Sequence, residues 1–302
     1  MTARTIRKVV IPAAGKGKRF LPATKVVPKE MLPVAGRPLI QYAVEEAAAS
    51  GIETVILVLS EEKSIISKYF SRDLPLETAL ARCSQDGMAQ AIRHLSELAE
   101  VRTAWQERQL GLADAIRSAR PLIGDEPFAV ILPDALIDAS LPCIRQMMDC
   151  YERHPGCVVA TQTVESSEVT RFGIIDVEAL TDRCCGGRTL RVTRLTERPQ
   201  PGQTTSRYGI FGRYILEPDI FSHIDRTSAG FGNELQLTDS LQLYTRTAPI
   251  YAYCFEGKHY DAGNKWGFLQ ATIAYSLKDP ELSQPLREYL AELSPSPADS
   301  FL

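Results

Sequence analysis

Residues Lys8–Pro12 read Lys-Val-Val-Ile-Pro, a β-branched run that stops at Ala13-Ala14-Gly15. Such a run, closed by a glycine, predicts a buried strand opening into a loop. Pro38–Ser50 (PLIQYAVEEAAAS) follows with helical character; Pro38 suits a first-turn position and Gly51 ends the helix. Glu53–Ser60 (ETVILVLS) predicts a second buried strand. Strand, helix and strand at this spacing make a parallel βαβ unit with a right-handed crossover. Phe128–Leu132 (FAVIL) adds a third central strand and ends in Pro133-Asp134. Open α/β sheets bind ligands at the carboxyl ends of their strands, and both Gly15–Arg19 and Asp134 fall there.

The remainder predicts a helical stretch over Leu76–Glu100, a helix starting within Asp114–Ala119, and a fourth strand over Cys157–Thr163. Phe172–Val177 and Thr189–Thr196 alternate in polarity, as half-exposed or antiparallel strands do. Strands are also expected over Arg207–Leu216 and Ala248–Phe255, helices over Trp266–Leu277 and Pro280–Leu293, and a frayed tail after that. No repeat or Pro/Gly/Ser-rich linker divides the chain. The expectation is an α/β fold with a mixed, mostly parallel central sheet flanked by helices, in one domain over residues 1–302. Within it, residues 1–140 form a nucleotide-binding type of half, 141–264 a smaller β-rich half and 265–302 a C-terminal helical segment.

A net charge of −3 gives no bulk field for nucleic acid or an anionic membrane. Seven cysteines without a CxxC pair argue against a disulfide framework and for reduced thiols, and with only four histidines zinc is disfavoured. The adjacent Cys184-Cys185 sits in a glycine-rich turn and needs no special role. No signal peptide or membrane span is legible, so a cytoplasmic protein is expected.

The densest chemistry lies in Ala14–Pro33, AGKGKRFLPATKVVPKEMLP. Gly15 and Gly17 allow backbone amides to approach a polyanion, and Lys16, Lys18, Arg19, Lys25 and Lys29 crowd the same stretch. Alone, this also fits a solvated basic loop. Phe20 replaces the third glycine of a dinucleotide fingerprint, and the P-loop spacing is absent. Gln106 stands five residues before Gly111, and its amide can donate to and accept from a pyrimidine edge. Asp134 follows a buried strand and a proline, a place for a metal ligand or simply for a turn-starting aspartate. Asp261 lies in Gly257-Lys-His-Tyr-Asp261-Ala-Gly263-Asn-Lys.

Together these segments resemble the bacterial UTP–glucose-1-phosphate uridylyltransferases, whose patterns run close to GxGTRxLPxTKxxPKEMLPxxxxPxIQY, QxxxLGLGHA, ILPDVILD and GxxxDxGNKxGYxxA. The resemblance covers nearly the whole chain and implies a Rossmann-like nucleotidyltransferase fold. It implies that Ala13, Ala14, Gly15, Gly17, Lys18, Gln106 and Gly111 bind the nucleotide, with Arg19 on the outer phosphates and Lys29 on the reacting α-phosphate. Asp134 and Asp261 become the Mg2+ ligands, and Asp134, Gly173, Glu197 and Arg198 the sugar-phosphate side. The implied partners are UTP and a sugar 1-phosphate, glucose 1-phosphate foremost, with neither nucleic acid nor membrane, in a homodimer or homotetramer. The implied reaction is in-line attack of the sugar phosphate on the α-phosphorus, which needs positioning and charge neutralisation rather than a protein nucleophile. Departures stand at Lys18 (family Thr), Ala113-Asp114 (Gly-His), Arg198 (Lys), Arg207 (often Asn) and Asn233 (Asp). They keep open a different sugar phosphate or dTTP, and, in another class, a weakly active paralogue that regulates an active enzyme.

Overall fold

The structure, a computed structural model, describes residues 5–180 and 187–293. The chain begins with β1 (Lys8–Pro12), a β2–β3 hairpin (Pro33–Val34 and Arg37–Pro38) and α1 (Leu39–Ala49). Next come β4 (Thr54–Leu59), α2 (Ile65–Tyr69), α3 (Leu74–Arg82), α4 (Asp86–Leu95) and β5 (Glu100–Trp105). Then follow α5 (Leu112–Ser118), α6 (Arg120–Ile123), β6 (Phe128–Ile131), β7 (Ala135–Asp138) and α7 (Cys143–Arg153). The second half holds β8 (Cys157–Thr163), β9 (Gly173–Ala179), β10 (Thr189–Glu197) and β11 (Tyr208–Leu216). After them come α8 (Ile220–Ile224), α9 (Leu237–Tyr244), β12 (Ile250–Cys254), β13 (Lys258–Asp261), α10 (Lys265–Ser276) and α11 (Ser283–Leu293).

Nine strands form one sheet in the order β5-β4-β1-β6-β11-β8-β12-β10-β9. Parallel pairing is confined to the β5-β4-β1-β6 block and to β8–β12. β11 runs antiparallel to both β6 and β8, and β10 antiparallel to β12 and β9. The parallel character expected to dominate therefore belongs to the first half, and the β-rich half continues the same sheet.

Alternation along the buried strands feeds two apolar layers. Val9, Ile11, Val55, Leu57 and Leu59 point into one layer with α1 and α7; Val10, Ile56 and Val58 point into the other with α5, α8 and α9. Both faces are covered, which is why these strands read as unbroken apolar runs.

The helix expected over Leu76–Glu100 is two helices and then a strand. Ser84 takes a left-handed φ of 56° and breaks α3 from α4. Glu100–Trp105 pairs in parallel with β4 at the sheet edge, where its mixed polarity hides it from a pattern search. The tail after Leu293 and Cys184-Cys185 lie outside the described residues.

A buried ion pair helps tie the two halves together. Arg213 on β11 is 1% exposed; its Nη2 donates to Glu46 Oε2 of α1 at 2.7 Å and its Nη1 to the carbonyls of Leu132 and Gly212, each at 3.2 Å. Removing one member of such a pair strands the other charge. Glu46→Ala is expected to cost about 3–5 kcal/mol in a urea unfolding experiment. A loss under about 0.5 kcal/mol, the range of neutral surface changes, would show that the pair is not a support.

Candidate active site

The four parallel strands end side by side. β1 runs into the glycine loop, β4 into Ser60–Glu62, β5 into Gln106 and β6 into Leu132–Asp134, and all four continuations line one cavity of about 1340 Å3. Gly15, Gly17, Lys18, Arg19, Lys29 and Gly111 line it as well. A second cavity of about 400 Å3, walled by Arg171, Phe172, Arg198, Asp261 and Asn264, shares Arg19, Leu132 and Asp134 with the first. The shared residues mark the junction.

At the junction Lys29 Nζ donates to Asp134 Oδ2 at 2.5 Å. Burial pulls the Lys29 ammonium down, but the carboxylates of Asp134 and Glu30 outweigh it and leave the group above its ordinary range. Burial pushes the Asp134 carboxyl up, and Lys29 overcomes that, holding it below its ordinary range. Both therefore stay charged at neutral pH.

Asp261 arrives by strand register. β7 starts directly after Asp134 and pairs antiparallel with β13, setting Ala135 opposite Asp261. The Asp261 carboxylate accepts from the Gly263 amide at 3.1 Å and from Asn264 Nδ2 at 2.8 Å, while Asn264 Oδ1 caps α10 by accepting from the Gly267 amide. A Cβ on Gly263 would lie 2.8 Å from Asp134 Oδ2 and 3.0 Å from Asp261 Oδ1, so both carboxylates converge on one glycine. Among the described residues no set of three or more His, Cys, Asp or Glu side chains gathers to hold a metal. Two carboxylates beside a polyanion-sized cavity suit Mg2+, which takes its other ligands from phosphate and water.

The glycine loop is held from inside by Lys63, which the sequence reading did not single out. Its Nζ donates to the carbonyls of Ala13 (2.8 Å) and Gly15 (2.5 Å) and to Glu30 Oε2 (2.7 Å). Glu30 is the neighbour of Lys29, so one ammonium pins both the loop and the turn that carries Lys29. Burial lowers the Lys63 ammonium and raises the Glu30 carboxyl, against their mutual attraction. Gly17 sits at φ 61°, and a Cβ there would press on Lys29 Cβ at 3.2 Å, so glycine lets loop and turn touch. Ala13 departs from its expected role. Its amide donates to the Val58 carbonyl at 2.8 Å, its carbonyl is taken by Lys63, and it lies behind the cavity wall.

Gln106 lines the larger cavity but is only half the reader it was expected to be. Its Nε2 donates to Asp114 Oδ2 at 2.7 Å and to the Gly111 carbonyl at 3.2 Å. The side chain can therefore accept from a base but has no amide hydrogen left to donate. Gly111, at φ 119°, has backbone of Leu235 within 2.6 Å of where a Cβ would be, so no other residue fits.

On the smaller-cavity side Arg198 lines the wall; it takes a left-handed φ of 42°, lies over the Phe231 ring at 4.8 Å and pairs with Glu197 at 3.5 Å. Gly173 and Glu197 are cross-strand partners just outside the walls of both cavities. Glu197 accepts from the Thr238 hydroxyl at 2.6 Å, and burial pushes its carboxyl above the ordinary range despite that bond and Arg198. Two further residues stand on this wall: Arg171, which the sequence does not single out and whose Nη2 approaches Asp261 Oδ2 to 3.6 Å, and His259, the one histidine that lies near a predicted site, whose imidazole burial pulls down to about 4 and so keeps neutral. Arg171 carries no residue type or spacing that sets it apart in sequence, whereas His259 stands two residues before Asp261.

Lys63→Met keeps the side-chain length but strands Glu30, which is 1% exposed. It is expected to lower stability by about 3 kcal/mol in denaturant unfolding and to weaken nucleotide binding in calorimetry. Unchanged values in both would remove Lys63 from the support of the loop.

Residues 8–277 match the nucleotidyl transferase family. The UTP–glucose-1-phosphate uridylyltransferase of Staphylococcus epidermidis is 41% identical over 96% of this chain and 99% of its own length. That of Staphylococcus haemolyticus is 42% identical over the same shares. A UTP-bound UGPase from Acinetobacter baumannii superposes with a TM-score of 0.88 at 34% identity, over 96% of this chain and 100% of its own. A UDP-glucose pyrophosphorylase complexed with UDP-glucose gives 0.81 at 37% identity, over 91% and 100%. With family, relatives and fold in agreement over nearly its full length, the chain belongs to the nucleotidyl transferases and, among them, to the UTP–glucose-1-phosphate uridylyltransferases.

Proposed function

We propose that the chain forms UDP-glucose and pyrophosphate from UTP and glucose 1-phosphate, with the nucleotide in the larger cavity and the sugar phosphate in the smaller. The observation that carries this reading is the junction, where Lys29, Arg19, Asp134 and Asp261 meet on the wall shared by, or bordering, both cavities. An oxygen of the sugar phosphate attacks the α-phosphorus, the bond from that phosphorus to the bridging oxygen of the β-phosphate breaks, and pyrophosphate leaves with the bond's electrons. No protein group becomes covalently bonded.

The chain's own part is placement and neutralisation. Lys29, held charged by Asp134, meets the α-phosphate, and Arg19, whose Nη1 donates to the Gly263 carbonyl at 3.3 Å, meets the outer phosphates. Lys18 adds a cation to the nucleotide cavity where the family has Thr. Asp134 and Asp261 would hold Mg2+, which supplies Lewis-acid neutralisation of phosphate charge when bound. Glu197 and Arg198 would meet sugar hydroxyls and phosphate. We assign the chain to the cytoplasm on its seven cysteines, an odd number with no CxxC pair, and to a homodimer or homotetramer on the resemblance and on exposed Leu282, Tyr289 and Leu293 at the C-terminal end.

Pyrophosphate release, crossing UTP and dTTP with glucose, galactose and N-acetylglucosamine 1-phosphates, tests the reading; turnover is expected to be fastest with UTP and glucose 1-phosphate. Folded protein silent across the panel would overturn it. Lys29→Ala is expected to lose about 1000-fold or more in kcat with folding retained, since it removes a preorganised charge at the reacting phosphate; a near-normal rate would sink its role. Gly263→Ala sets a methyl between the two carboxylates and is expected to raise the Mg2+ needed for half-maximal rate at least about tenfold. An unchanged Mg2+ requirement would place the metal elsewhere.

A further inference from the structure

We infer, on the reading that UTP occupies the larger cavity, that Asp114 is a positioning residue: it turns Gln106 into an acceptor-only reader and so selects a base edge that carries an imino N–H. Asp114 stands where the family has histidine in its Gly-His pair, so this device belongs to this chain's own sequence.

The geometry is a short relay running away from the cavity. Gln106 is 5% exposed and lines the cavity wall, whereas Asp114, 6% exposed in the first turn of α5, lies behind it. Gln106 Nε2 gives one hydrogen to Asp114 Oδ2 and the other to the Gly111 carbonyl. The other carboxylate oxygen of Asp114 accepts from Arg117 Nη2 at 2.5 Å. Arg117 is in turn 4.0 Å from Asp225. A carboxylate paired with a guanidinium accepts hydrogen bonds only, and so does a peptide carbonyl. Two acceptor-only neighbours leave the carboxamide one orientation, with nitrogen toward them. The alternative orientation would set Oε1 against two oxygens in a buried place.

What remains for a base is Oε1. Uracil presents an N3–H donor to such an oxygen; cytosine presents an unprotonated N3, which repels it. Hydrogen-bonding sites reject analogues that lack the required group far better than apolar pockets reject a changed shape. A glutamine free to rotate would lose this selection, because its Nε2 would then serve cytosine N3 equally well.

Asp114→Asn keeps size and shape but carries only one acceptor oxygen. Arg117 claims that oxygen, the new Nδ2 faces Gln106, and the Gln106 amide turns over to offer Nε2 to the base. Asp114→Ala removes the carboxylate and leaves the Gly111 carbonyl as the one acceptor facing Nε2, a weaker constraint, and Arg117, 38% exposed, can turn to water.

The test is calorimetric binding of UTP and CTP to the full chain and to both variants, with thermal unfolding as the fold control. The unaltered chain is expected to favour UTP about 100-fold or more, a preference within the range of hydrogen-bond selection. Asp114→Asn is expected to narrow that preference at least about tenfold, chiefly through weaker UTP binding, and Asp114→Ala to narrow it less. A merely structural Asp114, there to favour the N-terminus of α5, would lower the melting temperature and leave the ratio alone. The assignment is overturned if the unaltered chain binds UTP and CTP equally, or if the folded variants keep the full preference. Should Asp114→Asn fail to fold, Asp114→Ala decides alone. The transferase reading is judged separately by pyrophosphate release. Selective UTP binding without turnover would end that reading and leave Asp114 its role; equal turnover of UTP and CTP would do the reverse.

Discussion

β1 lies between β4 and β6 and runs parallel to both. That single constraint organises the molecule. Parallel neighbours must be joined by crossovers, so every carboxyl end in the block falls on one edge of the sheet. The glycine loop, Ser60, Gln106 and Asp134 are brought to one cavity although they are far apart in sequence. The antiparallel β11 then continues the sheet on the far side of β6, carrying Arg213 to Glu46 on α1 and holding the second half against the first.

On the proposed reading the glycine loop faces a triphosphate, whose oxygens its own carbonyls would repel. Here Ala13 and Gly15 give their carbonyls to the buried ammonium of Lys63, on the protein side of the loop. Acceptors are thereby withdrawn from the cavity side. Glu30 balances the charge that this requires, and its place next to Lys29 joins the loop's support to the reacting centre. The Glu30 Oε1 atom is buried without a hydrogen-bond partner among the described residues, though Lys29 Nζ lies 3.9 Å away. The site is thus built as opposed charges held in fixed positions, which is the form of preorganisation that phosphoryl chemistry uses.

Much of this was legible in the chain. The buried strands over Lys8–Pro12, Glu53–Ser60, Phe128–Leu132 and Cys157–Thr163 were readable because β-branched runs covered on both faces leave an unbroken apolar signal. The β5 edge strand was not, since one flank lacks a neighbour and its residues are mixed in polarity. It was absorbed into the preceding helical stretch. The amide of Ala13 and the Nε2 hydrogens of Gln106, expected to face a nucleotide, are given to protein carbonyls and a carboxylate, because a residue's hydrogen-bonding capacity says nothing of which partners have already claimed it.

The sequence by itself therefore determined the βαβ start, the sheet's buried strands and the charged residues that stand at strand ends. It did so through local signals: apolar periodicity, glycine and proline, and motif spacing. Only the tertiary structure decided which distant residues share a site. Asp134 and Asp261 meet through the β7–β13 register. Lys63 lies in the polar stretch SEEKS, which looks like any solvated turn until its ammonium is found between two carbonyls and a carboxylate. Asp114 likewise looks like an ordinary first-turn acid of a helix until Gln106 and Arg117 are seen on its two oxygens. Such roles are set by geometry between segments, and the free energy of a buried charge depends on partners that no local window of sequence contains.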